Sequence, residues 1–73
     1  MYYLIWFDNN AKHSATERIA GGIQAYQERF RVVPAQVLVN AADMATVEGV
    51  NVEAAPNVQP WNYWIGPVDG VWL

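Results

Sequence analysis

The chain begins with an unbroken apolar run, Tyr2-Tyr3-Leu4-Ile5-Trp6-Phe7, and turns polar at Asp8-Asn9-Asn10. A short run rich in aromatic and β-branched residues predicts a strand. Tyr2, Leu4 and Trp6 would face one way, and Tyr3, Ile5 and Phe7 the other. Both faces are apolar, the pattern of a strand covered on two sides. A polar loop leads to Ser14-Ala15-Thr16-Glu17, a capping box in which serine and glutamate satisfy each other's backbone N–H groups. Ile19, Ile23, Tyr26 and Phe30 then recur at spacings of 4, 3 and 4. That is one stripe of a helix, predicted over about 14–30. Arg18, Glu28 and Arg29 fall away from the stripe. Gly21 and Gly22 each cost about 1 kcal/mol relative to alanine inside a helix. Two together predict that a backbone or a bulky ring packs close, and a tryptophan on the underlying sheet is one occupant that fits.

Pro34 ends the turn after the helix, and Ala35-Gln36-Val37-Leu38-Val39 reads as a second strand. The unit is strand–helix–strand, of a length that suits a right-handed crossover between parallel strands. Residues 41–48 predict one or two helical turns capped by Asp43 and stopped by Gly49. Val50 to Ala54 alternates as a half-exposed strand. Pro56 and Pro60 bracket a stiff connector, and Trp61 to Ile65 is a fourth strand. Gly66 to Gly70 reads as a turn, after which Val71-Trp72-Leu73 supplies a short fifth strand. The expected fold is therefore a single α+β domain over residues 1–73. It has a mixed four- to five-stranded sheet with one long helix on one face, in the order β-α-β-(short helical turn)-β-β(-β). One helix leaves the second sheet face to be covered by the aromatic tail or by a second copy of the chain.

Composition sharpens that question. A chain of 73 residues buries only about 60% of its unfolded surface. It has no cysteine for disulfides, and its lone histidine argues against a structural zinc. Oligomerisation is the remaining staple for so small a domain, and a homodimer is the simplest form. The absence of cysteine fits a cytoplasmic setting. No run is long enough for a membrane span, and the N-terminal run lacks the flanks of a signal peptide. Residues 1–31 carry four cations and three carboxylates, whereas residues 32–73 carry four carboxylates and no cation; +1 and −4 sum to the net −3. An acidic, cation-free half argues against nucleic acid and would suit a basic protein partner.

Three of the four tryptophans lie in residues 60–73. Trp61, Tyr63, Trp64, Trp72 and Leu73 are the candidate interface. One or two of these aromatics, with Trp6 and Tyr26, are expected in the core. A stacking surface for a small ligand such as a sugar ring is a third reading. If the first two strands are parallel, Asp8 and Asp43 meet at their C-terminal edge, beside Asn9 and Asn40. There they could hold a hard cation such as Mg²⁺, or simply serve turns and caps. The opening Tyr2 to Asp8 also resembles the first strand of small ferredoxin-like CRISPR-associated nucleases. In that family an aspartate ends the strand and serves a metal, an implication that falls on Asp8. Those proteins continue with basic sequence and a second full helix, both lacking here. His13 would need a nucleophile or an orienting carboxylate to act as a base. No organic cofactor is implied. The expected function is a small non-enzymatic module that self-associates and binds another protein. The alternative is a metal-dependent hydrolase or nuclease using Asp8 and Asp43.

Overall fold

A computed structural model describes residues 2–68. Strand β1 (Tyr2–Phe7) is followed by helix α1 (Ala15–Phe30), strand β2 (Gln36–Val39), a 3₁₀ turn (Ala41–Asp43), strand β3 (Asn51–Ala54) and strand β4 (Asn62–Val68). The α+β class, the single long helix and the mixed sheet are those expected. The fifth strand proposed for Val71-Trp72-Leu73 lies outside the described residues, as do Trp72 and Leu73 themselves.

Helix α1 starts where the capping box predicts. The Ser14 hydroxyl accepts from Glu17 N–H at 3.1 Å, and the Glu17 carboxylate accepts from Ser14 N–H at 2.8 Å. It ends at Arg31, whose left-handed backbone (φ 62°) returns its N–H to the Gln27 carbonyl. The apolar stripe packs on one sheet face, and the core gathers Ile19, Tyr26, Val37, Val39, Tyr63, Ile65 and Val68. The glycine pair serves as predicted. A Cβ on Gly22 would lie 2.9 Å from Ile65 Cδ1 and 3.1 Å from the Trp6 ring, while one on Gly21 would sit 3.5 Å from Trp6 Nε1. The close approach has a cost: the buried Trp6 indole N–H finds no acceptor among the described residues.

The sheet runs β1-β4-β2-β3. Strands β1 and β2 point the same way, as the crossover implies, but β4 lies between them, antiparallel to both. Strand β3 joins β2 in parallel at the far edge. Strand β4 also takes in Gly66, Pro67 and Val68 of the expected turn, whose last two residues, Asp69 and Gly70, lie outside the described residues. Gly66 and Pro67 together oppose Tyr3, because Tyr2 pairs with Val68 and Leu4 with Ile65. This bulge accommodates a proline that cannot donate to a ladder. Gly66 also makes room. A Cβ there would meet Val68 N at 3.0 Å and the Tyr3 ring at 3.2 Å. Without one, Tyr3 reaches across the strand, and its hydroxyl accepts from Gln36 Nε2 at 2.8 Å.

Two local expectations are corrected. Of residues 41–48 only Ala41–Asp43 form a helical turn, of the 3₁₀ type, and its cap is Asn40, which accepts from Ala42 N–H at 2.9 Å. Asp43 is used elsewhere. Arg18, placed by periodicity outside the apolar stripe, is buried at 8% exposure. Among the described residues no helix is long and apolar enough to cross a membrane.

Candidate functional site

The C-terminal ends of β1 and β2 do lie along one sheet edge, with the start of β4 between them. Arg18 sits in the first turn of α1, at the point where these segments meet. Its Nε donates to the Tyr63 hydroxyl at 2.7 Å. One terminal nitrogen donates to the carbonyls of His13 and Asn10, and the other pairs with Asp43 Oδ1 at 3.6 Å. The guanidinium lies 4.8 Å from the centre of the Trp61 ring. Burying a cation is costly unless its donors are met, and here they are met by three segments of chain: the 10–13 loop, Asp43 and Tyr63. The Tyr63 hydroxyl bond holds the guanidinium above its ordinary pKa, with Asp43 and Asp8 assisting. Burial in turn pushes the Tyr63 phenol up.

Asp43, 4% exposed, divides its carboxylate between Arg18 and the Trp61 N–H, which it accepts at 3.1 Å. Trp61 needs that support: its φ of 68° is a left-handed backbone that a bulky residue adopts only when surroundings impose it. The peptide that follows is held too, since the Trp61 carbonyl accepts from Asp8 N–H at 3.0 Å.

Asp8 and Asp43 thus reach one edge, as the parallel-strand argument requires, but each is engaged separately. The Asp8 carboxylate accepts from Asn10 N–H and pairs with His13 Nδ1, both at 2.9 Å. The Asn10 bond, then the His13 bond, hold its pKa below the usual range. Among the described residues no three His, Cys, Asp or Glu side chains gather as a metal site.

Asp8 supplies the orienting carboxylate that His13 needs, a pairing across a five-residue separation that the loop sequence does not disclose. The Ser14 hydroxyl, adjacent in sequence, is committed to the Glu17 cap.

The candidate interface residues separate by face. Tyr63 is fully buried against the helix side. Trp64 points to the opposite face, half-buried, with its ring 6.0 Å from that of Tyr3. Trp61 is 39% exposed at the strand end. The helix-free face gathers Tyr3, Ile5 and Phe7 from β1, Trp64 from β4 and Leu38 from β2. Ile5, Trp64 and Leu38 stand in register across three strands. Ile5 and Phe7 are 56% and 59% exposed. These β1 residues were expected to be covered, and within residues 2–68 they are not. Comparison of the chain with protein-family models, with curated proteins and with solved structures finds no match.

Proposed function

We propose that this chain is a self-associating interaction module, not an enzyme. The observation that carries the reading is the helix-free sheet face, where Tyr3, Ile5, Phe7, Trp64 and Leu38 form a contiguous apolar surface. Patches of this kind on a soluble fold mark interaction sites, and aromatic side chains are the usual anchors. The commitments of the polar edge favour the same reading. Asp43 balances Arg18 and supports Trp61, and Asp8 serves its own turn and His13, so both carboxylates have structural work. A domain of this size gains most from association. A hetero-partner, if bound, is a basic protein surface, since residues 32–73 carry four carboxylates and no cation.

Light scattering coupled to size exclusion, run across the micromolar range, tests self-association. The expected mass is about twice the 8.2 kDa of the chain. A single species of chain mass at every concentration overturns the reading.

A further inference from the structure

We propose that two copies of the chain join through β1, antiparallel to itself, with Ile5 on the twofold axis. This rests on the self-association reading and specifies its geometry.

The backbone carries the argument. Among the described residues strand β1 ends the sheet, with β4 on one side only. The Asp8 N–H donates to the Trp61 carbonyl. In an antiparallel ladder the residues that bond a given neighbour alternate. Leu4, Trp6 and Asp8 therefore turn their backbone groups to β4, and Tyr3, Ile5 and Phe7 turn theirs to the open edge. Among the described residues nothing bonds the latter set. Such an edge is a template for another strand.

The two edges of the sheet differ in kind. Strand β3 is four residues long and carries exposed Asn51 and Glu53, the ordinary protection against pairing. Strand β1 has six residues, four of them aromatic, with no charge, proline or glycine.

Symmetry selects a second copy as the occupant. A twofold at Ile5 sets Ile5 against Ile5 and Tyr3 of each copy against Phe7 of the other. Aromatic and β-branched cross-strand pairs of this kind are favourable. The nearest charge, Asp8, falls opposite Tyr2, so no like charges meet. The two four-stranded sheets become one of eight strands, with both helices on the same side. Their apolar faces become continuous, and the edges left are the protected β3 strands. The contact is isologous and closes at the dimer.

The absence of native cysteine makes a direct test possible. Opposed residues in a hydrogen-bonded antiparallel pair have Cα atoms about 5.5 Å apart, inside the range of roughly 4.4–6.8 Å that a disulfide spans. Mild oxidation of Ile5→Cys is expected to give a covalent dimer. Leu38→Cys, on the same face but two strands from the edge, is expected to give little. Ile5→Lys, which sets two cations against each other at an exposed position, is expected to give a folded species of chain mass. If the unaltered chain dimerises but Ile5→Cys does not cross-link, edge pairing is overturned and self-association stands. If the unaltered chain stays at chain mass throughout, both readings fall.

Discussion

Arg18 Nε donates to the Tyr63 hydroxyl at 2.7 Å, joining the first turn of the helix to the middle strand of the core across a separation of 45 residues. Both groups are buried, and the remaining guanidinium donors reach Asp43 and two loop carbonyls. Removing one partner of such a set leaves the others desolvated and unmatched.

Arg18→Met should therefore cost about 3 kcal/mol, because it strands the buried Asp43 carboxylate. Tyr63→Phe should cost about 2 kcal/mol, the scale of a hydrogen bond to a charged group. Arg18→Lys should rescue little, since an ammonium lacks the planar fork that meets four partners at once. Urea unfolding followed by tryptophan fluorescence measures all three. A neutral Arg18→Met would show that the cluster is incidental.

The glycine pair should respond asymmetrically. Gly21→Ala places its methyl in ordinary contact with Trp6 and gains helix propensity, so stability should rise by up to about 1 kcal/mol. Gly22→Ala forces a methyl to within 2.9 Å of Ile65 and 3.1 Å of Trp6. Overpacking of roughly 1–3 kcal/mol should outweigh the same propensity gain. Thermal melts of the two variants should move in opposite directions.

At Trp61 the usual ranking of alanine over glycine should invert. Both substitutions lose the ring that covers the Arg18 guanidinium, a contact of about 0.5–1 kcal/mol. Glycine alone relieves the left-handed backbone, by about 1 kcal/mol. Trp61→Gly should then be more stable than Trp61→Ala by that amount in denaturant titrations. Equal stabilities would mean that the positive φ carries no strain.

Stability should fall at both ends of the pH scale. Asp8 and Glu17 have pKa values lowered from 3.8 and 4.5, each chiefly by an accepted backbone N–H bond, from Asn10 and Ser14 respectively. Their contribution is present above those ordinary values and lost as pH falls through the lowered ones. Helical circular dichroism should decline below about pH 4, and Glu17→Gln, which removes the titrating carboxylate that accepts from Ser14 N–H, should blunt the Glu17 part. Tyr63 shifts the other way, raised from 10.0 by burial. Its contribution is intact below pH 10 and is lost as pH rises through the raised value. Tyr63→Phe should flatten the alkaline decline.

How much was legible varies element by element. The Ser14–Glu17 box, the stripe from Ile19 to Phe30 and the ring over the glycines could all be read, because each is a relation within a few helical turns or a consequence of missing volume. Arg18 was misread because periodicity assigns a face without knowing what lies opposite. Tyr63 and Asp43, 45 and 25 positions away, turn a polar-face arginine into a core residue. Gly66 and Pro67, expected to open a turn over Gly66 to Gly70, lie in β4 for a related reason. Those residues favour turns in isolation, but a ladder with a bulge absorbs them.

By itself the sequence determined the α+β class, the helix and its cap, and the excess of apolar surface over what one helix can bury. Those follow from side-chain pattern and local backbone chemistry. Only the tertiary structure decided that β4 enters between β1 and β2, that Arg18 is buried against Tyr63, that Asp8 meets His13, and that β1 is the outermost strand among the described residues. Each depends on which distant segments compete for the same hydrogen bonds and the same core, and that competition is resolved only when the whole chain is packed.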